Sequence, residues 1–234
     1  MGNYRVSDHL SISLRILTDG MPKGDSVVNS IASSIKDSIE FIERTWRDTP
    51  EELADDAYNI ASDDQELIEH LLGVSFVMCQ VGIEHVVSAY QSVQQGWVEH
   101  QESKHKKNPS TDLLGLAIGS KHLKQELTEK GNPKLTNKYS KITTINAFGN
   151  YFKHNDEWNS DWINLPDDSM NFTQKVIKAS VGIKSVEFCK EGFSYLSKNQ
   201  PFDQVVMLWG MVSDWSESIK NKYIQGLKKC GCRK

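Results

Sequence analysis

Apolar residues recur every three or four positions along almost the whole chain, and this spacing constrains the fold more than any other feature. The stripe between residues 28 and 46 consists of Val28, Ile31, Ile35, Ile39, Ile42 and Trp46. Such steps place apolar side chains on one face of an α-helix, whereas a half-buried strand alternates at every second residue. No strand alternation of useful length occurs in the sequence. The spacing therefore predicts an all-α helical bundle.

One predicted helix is much longer than the others, and we expect it at the centre of the bundle. Its stripe consists of Leu67, Leu71, Val74, Met78, Val81, His85, Ala89, Val93 and Trp97. At a rise of 1.5 Å per residue this helix would reach about 50 Å.

Capping signals place the helix starts. Asp25 or Ser26 can begin the helix that carries the first stripe. The run 49–52 has a capping Thr, a Pro at the first helical position and a Glu three residues after the cap, which predicts a short helix ending near Ile60. Ser62 with Gln65 repeats the signal, so the long helix should begin there.

Further helices are expected after Ser110, between about 134 and 154, and beyond Pro201. We predict one helical-bundle domain at 25–228, an N-terminal arm at 1–24, and a basic tail at 229–234 that holds Cys230 and Cys232. With 234 residues the chain can bury a sizeable core without disulfides or metals.

Composition excludes several classes of protein. Hydrophobic residues make up 38% and charged residues 25%, which is unlike a disordered or low-complexity chain. No run approaches the roughly 20 apolar residues of a membrane span, and the start lacks a secretory signal pattern. We therefore expect a cytoplasmic protein with no membrane partner.

The net charge of −4 conceals a strong asymmetry. Residues 48–103 contain twelve acidic residues and no Lys or Arg, whereas residues 104–141 carry nine lysines. A basic face could attract RNA or a nucleotide, and the acidic run could meet a basic protein partner. Alternatively, the acidic and basic helices pack beside each other and neutralise.

The densest group of chemically useful side chains lies near the end of the helix predicted at 134–154. Asn146, Asn150 and His154 are successive i, i+4 neighbours, and Lys153 lies three residues after Asn150. An imidazole can transfer a proton, a cation can stabilise phosphorane charge, and an amide can position a phosphodiester. His154 is thus the candidate general acid or base, Lys153 the charge stabiliser and Asn150 the positioning group, with no metal or other cofactor required.

Gly149 interrupts the same helix. Inside a helix, glycine is less favourable than alanine by roughly 1 kcal/mol. A glycine at this position therefore indicates that another helix or a ligand approaches closely. Four further residues could orient the three candidate groups by contacting them: Asn146, Glu157, Glu84 and His85.

The run Asn150-Tyr151-Phe152-Lys153-His154, followed by Asp156-Glu157-Trp158, resembles the motif region of HEPN-superfamily proteins. The resemblance implies an up-and-down helical bundle, a homodimer that brings two motifs together, and metal-independent endoribonuclease activity in a toxin or phage-defence setting. The family places an Arg where this chain has Gly149, and no Arg occurs between Arg47 and Arg233. Lys153 would have to supply the cation, although it lacks the bidentate fork of an arginine.

Other hypotheses remain open. Lys153 and His154 could simply stabilise the carbonyl end of their helix. The missing Arg and the acidic run favour a non-catalytic interaction module, such as an antitoxin, an immunity protein or a defence-complex subunit. A weaker hypothesis is metal or redox sensing by Cys230 and Cys232.

Overall fold

The computed structural model describes residues 4–5, 7–19, 21, 24–104, 109–129, 138–158, 162–181, 187–230 and 232–233. Within these residues the chain forms eight α-helices: α1 (Asp8–Asp19), α2 (Gly24–Asp48), α3 (Ala54–Glu102), α4 (Leu123–Glu129), α5 (Lys141–His154), α6 (Phe172–Val181), α7 (Phe188–Ser197) and α8 (Val206–Lys229). Short 3-10 helices occupy Glu51–Leu53, Asn155–Glu157, Trp162–Asn164, Asp167–Ser169 and Phe202–Val205. The predicted all-α bundle with one long helix is confirmed.

The strands are minimal. Strand β1 (Tyr4–Arg5) pairs in parallel with β2 (Cys232–Arg233), and each strand contributes two residues.

Contacts between Cα atoms group the chain into two compact units. We call Lys23–Gln80 with Thr143–Gly210 the motif unit, because it holds the candidate residues of α5. The terminal unit consists of Met1–Pro22, Val81–Ile142 and Met211–Lys234. The boundaries expected at residues 24 and 228 stay a prediction.

In the terminal unit, helix α1 lies within the segment that we predicted as an arm. Leu10, Leu14 and Leu17 are buried at helical spacing. A Cβ added to Gly96 of α3 would lie 2.9 Å from the Cα of Leu10, so glycine permits close packing of α1 on α3. The Ser216 hydroxyl of α8 donates a hydrogen bond to the carbonyl of Leu17 and fixes the other side of α1.

Asp112 organises the loop before α4, where we expected a helix to begin. Its carboxyl accepts hydrogen bonds from the backbone N–H groups of Leu114 (2.9 Å) and Leu116 (3.0 Å). The other oxygen accepts from the Tyr90 hydroxyl at 2.6 Å and the Gln94 amide at 2.8 Å. These bonds satisfy backbone groups that a helix would otherwise have paired, so helix α4 begins only at Leu123.

In the motif unit, α3 and α5 form the centre of the core. The rings of Phe76 and Phe148 stack with centroids 5.1 Å apart. A Cβ on Gly192 of α7 would lie 2.5 Å from the Phe148 ring, so this glycine lets the ring lie directly against α7. Ile35 and Leu72 are fully buried in the same unit.

The predicted break between Ile60 and Ser62 is wrong, because α3 runs without interruption from Ala54 to Glu102. Small and branched residues continue one buried row through the expected break: Ala57, Ala61, Ile68 and Leu72. Packing along this row outweighs the capping preference of a serine.

The predicted stripe of the long helix is also wrong over its first half. Leu67, Val74 and Val81 are 41–46% exposed, whereas the neighbouring positions Ile68 and Phe76 are buried. Apolar residues occur around the whole circumference of this helix, so periodicity alone cannot identify the buried side.

Helix α5 ends at His154 as expected but begins at Lys141. Residues 138–140 are not helical, and 134–137 lie outside the described residues.

Candidate functional site

Gly149 lies where α5 crosses α3 in the motif unit. A Cβ at this position would lie 2.9 Å from the carbonyl oxygen of Phe76 and 3.2 Å from the Cβ of Gln80. The predicted close approach is therefore confirmed, and the approaching group is a helix. Gly149, where the HEPN resemblance would place an Arg, faces the backbone of α3.

The two asparagines of the motif are joined to α3 by one side chain. Gln80 is 4% exposed. Its Nε2 donates to Oδ1 of Asn146 at 3.2 Å and to Oδ1 of Asn150 at 2.5 Å. The structure thus brings Asn146 and Asn150 together, with carboxamide oxygens directed at the helix interface.

His154 and Lys153 lie at the exposed end of α5. The Nδ1 of His154 is 3.0 Å from Oε1 of Glu157, which belongs to the 3-10 helix that follows. Glu157, one of the residues expected to support the candidate groups, thus contacts His154 directly. The side chain of His154 is 48% exposed and that of Glu157 is 67% exposed.

Glu84 and His85 belong to the terminal unit and have partners there. Glu84 forms an ion pair with Lys124. The Nε2 of His85 lies 3.1 Å from the carbonyl oxygen of Ile16, a hydrogen bond that helps hold α1.

A cavity of about 410 Å³ opens in the motif unit beside the end of α5. We call it the α5-end cavity. Three of its lining residues, Tyr151, Phe152 and Asn155, come from the motif segment, but Asn150, Lys153 and His154 are not among the described residues that line it. The cavity thus adjoins the motif segment, and the roles expected for Asn150, Lys153 and His154 stay a prediction.

The walls of the α5-end cavity are aromatic and acidic. Tyr58, Tyr151, Phe152 and His70 supply rings, and three carboxylates come from Glu66, Glu69 and Glu187. Among the described lining residues there is no Lys or Arg. A phosphate would meet like charge in this cavity, whereas a cation would meet carboxylates and ring faces.

Glu69 lies in the cavity wall, and the sequence analysis did not single it out. Its two oxygens accept hydrogen bonds from the backbone N–H groups of Cys189 (2.6 Å) and Lys190 (2.8 Å), at the start of α7. Burial raises the pKa of Glu69, and these hydrogen bonds oppose that rise. The capped groups are 120 and 121 residues away, so no local pattern distinguishes Glu69 from other acids of the run.

Tyr151 connects the cavity to an aromatic cluster. Its ring centroid lies 5.1 Å from that of Phe188 and 5.5 Å from that of Trp158. Burial raises the pKa of Tyr151 to about 12, so its hydroxyl stays protonated at neutral pH. Burial also raises the pKa of the nearby Cys189 thiol well above its usual range, which is the opposite of what a reactive cysteine needs.

Metal ligation has no support from the described part of the chain. No group of three or more His, Cys, Asp or Glu side chains is placed there to hold an ion. Cys230 is exposed, Cys232 lies in β2, and Gly231 is outside the described residues.

By length and composition, one helical stretch in the described residues, Glu51–Glu102, is long and apolar enough to cross a membrane. Its most apolar window has a mean hydropathy of 1.5, and 56% of that window is buried inside the protein. The core helix of a soluble protein has the same properties, so the stretch is weak support for a membrane span.

Comparison with known proteins gives no relative from which an activity could be transferred. No family model, no curated protein and no solved structure matches this chain.

Proposed function

We propose that this chain is a non-catalytic binding module that receives a basic segment of a protein partner at the α5-end cavity. The observation that carries the proposal is the lining of that cavity, which combines Tyr58, Tyr151 and Phe152 with the carboxylate of Glu66. The carboxylates of Glu69 and Glu187 add negative charge but already have partners, at the start of α7 and on Lys190. Ring faces and carboxylates both attract a guanidinium or ammonium group. Antitoxins, immunity proteins and defence-complex subunits are the classes that we expect for such a module.

The contacts of the motif support the same proposal. The carboxamide oxygens of Asn146 and Asn150 accept hydrogen bonds from Gln80. The Cβ position of Gly149 is filled by the backbone of α3, so an Arg cannot be accommodated there without a shift of the helices. Both carboxamides are therefore held at the α3–α5 interface by their oxygens, and only their NH2 groups could donate to a phosphate.

A second candidate function is RNA cleavage, as the HEPN resemblance implies. The specific observation in its favour is the exposed His154, whose Nδ1 is oriented by the carboxylate of Glu157 at 3.0 Å. An imidazole held by a carboxylate through one nitrogen presents the other for proton transfer. Lys153, exposed beside it, would supply charge. The homodimer that would combine two such motifs stays a prediction.

Binding of a basic peptide tests the first proposal. The probe is a fluorescein-labelled peptide of alternating Arg and Ser, and binding is followed by anisotropy at low and physiological salt. Glu66→Lys should weaken binding about 3- to 30-fold, because one attraction becomes a repulsion. Asp63→Lys is the matched control: it is exposed, lies three residues earlier on α3 and is outside the cavity. Equal losses in the two variants would contradict a specific site.

Labelled single-stranded RNA in EDTA separates the two functions. We expect no cleavage and no binding at low salt, where phosphate contacts are strongest. Tight binding that weakens steeply with salt would contradict the protein-binding module. Cleavage by the wild type that His154→Ala abolishes would establish the second candidate in its place.

A further inference from the structure

A second cavity of the motif unit lies between α2, α3 and α7 and has a volume of about 590 Å³. We call it the α2–α7 groove. Ile39 and Ile42 of α2, Ile68 of α3 and Phe202 form its apolar floor. Its volume is within the range of pockets that bind ligands.

The apolar stripe of α2 is longer than the surface that its own chain covers. Val28, Ile31 and Ile35 are buried, whereas Ile39 and Ile42 are only partly buried. Trp46, four residues after Ile42 on the same face, is 46% exposed. The uncovered row from Ile39 to Trp46 is about 10 Å long, which extends beyond the groove itself. A row of side chains on one face of a partner helix could cover that length, whereas a small ligand inside the groove would leave Trp46 exposed.

The rim of the groove is acidic. Glu43 comes from α2, and Glu187 and Glu191 come from the start of α7. Lys190 also lines the groove, but its ammonium lies 2.7 Å from Oε1 of Glu187, and the residue is 8% exposed. The charged lining residues therefore carry a net charge of −2, which complements a basic ligand.

The groove and the α5-end cavity share two lining residues, Gln65 and Glu187. The two cavities therefore adjoin at these two side chains. The cavity offers aromatic rings and carboxylates, and the groove offers an apolar floor with an acidic rim.

We propose that the α2–α7 groove binds an amphipathic helix of the protein partner, with apolar side chains on the isoleucine floor and Lys or Arg side chains along the rim. This inference rests on the proposed function, because it specifies the partner that the module receives. Apolar anchors at helical spacing are the general feature of helix-in-groove recognition. The acidic rim selects a basic helix and repels an acidic one.

The probe is a synthetic helical peptide of Leu and Lys whose leucines share one face, compared with a peptide in which every Lys is Glu. Glu43→Lys should weaken binding of the Leu–Lys peptide about 10-fold and strengthen binding of the Leu–Glu peptide. Asp37→Lys, an exposed acid of α2 outside the groove, should change both affinities less than about 2-fold. The gain for the Leu–Glu peptide cannot arise from misfolding, so a failed fold does not mimic the expected result.

The apolar floor is tested by Ile42→Ser against Phe41→Ser. Phe41 is the preceding residue, is 41% exposed and does not line the groove. Ile42→Ser should weaken binding of the Leu–Lys peptide about 5- to 20-fold and leave the affinity for the Arg–Ser peptide unchanged. Phe41→Ser should leave both unchanged.

Three outcomes would overturn the inference. Equal effects of Ile42→Ser and Phe41→Ser would show that the floor is not used. Equal affinity for the Leu–Lys and Arg–Ser peptides would show that the α5-end cavity binds cations but that the groove does not bind an amphipathic helix. A solution mass of two chains that Ile42→Ser reduces to one would assign the groove to a second copy. Loss of binding to all peptides would instead contradict the proposed function.

Discussion

Replacing Gly149 with alanine gives a direct test of the α3–α5 contact. Alanine removes the conformational cost of glycine and should by itself stabilise the helix by about 1 kcal/mol. Its Cβ would lie 2.9 Å from the Phe76 carbonyl oxygen, well inside ordinary contact distance. The obstructing atom belongs to a helix backbone, so no side-chain rotation relieves the contact, and the helices must separate.

Overpacking of this kind costs typically 1 to 3 kcal/mol, and separation also strains the hydrogen bonds of Gln80, each worth about 1 kcal/mol. We expect Gly149→Ala to lower the free energy of unfolding by about 1 to 3 kcal/mol, with Tm lowered by about 2 to 10 °C. Gly149→Arg, which would introduce the arginine that the HEPN resemblance calls for, meets the same contact and should destabilise the chain without creating RNA cleavage.

Gly210→Ala is the matched control. Gly210 also lies inside a helix, α8, but a Cβ there would meet no atom within 4 Å. This variant should be up to about 1 kcal/mol more stable than wild type. Urea unfolding followed by far-UV circular dichroism measures both variants. If Gly149→Ala were stabilised as much as Gly210→Ala, the close contact between α3 and α5 would be refuted.

Two further predictions concern the carboxyls of Glu69 and Asp112. Burial raises the pKa of Glu69 above its usual 4.5, so its contribution to stability is complete below that pH and is lost as the pH rises through the folded value. Glu69→Gln should therefore cost more stability at pH 4 than at pH 7 in urea unfolding, and a larger cost at pH 7 would contradict the assignment. Asp112→Ala leaves several buried donors without an acceptor, including the Tyr90 hydroxyl, and should cost about 3 to 5 kcal/mol. A cost under about 1 kcal/mol would mean that the loop before α4 does not depend on this carboxyl.

Local patterns predicted most of the helices because the apolar stripes recur at helical spacing. The first stripe predicted helix α2 nearly to its observed bounds, but the helix begins at Gly24, before the cap expected at Asp25 or Ser26. Periodicity failed in α3, where an apolar surface on all sides made the buried face ambiguous. It also failed before α4, because the carboxyl of Asp112 organises a loop through bonds to Leu114 and Leu116.

The site was predicted less completely than the fold, since its contacts join distant parts of the chain. Gly149 signalled a close approach, and the structure confirms it. The partner of Asn150 is Gln80, 70 residues earlier, and the groups capped by Glu69 are still more distant. Local spacing could place Asn150 and His154 on one helical edge, but it could not reveal that the former contacts another helix.

Photocrosslinking of a bound basic peptide tests the central claim most directly. An Arg–Ser peptide that carries a benzophenone is irradiated with the full chain, and the linked residues are identified by mass spectrometry. We predict links around the α5-end cavity, at Tyr58 and Phe152. Peptide links confined to other surfaces would contradict the cavity as the binding site. The claim would also be contradicted if RNA carrying 4-thiouridine crosslinks to Lys153 or His154 while the peptide crosslinks to no residue.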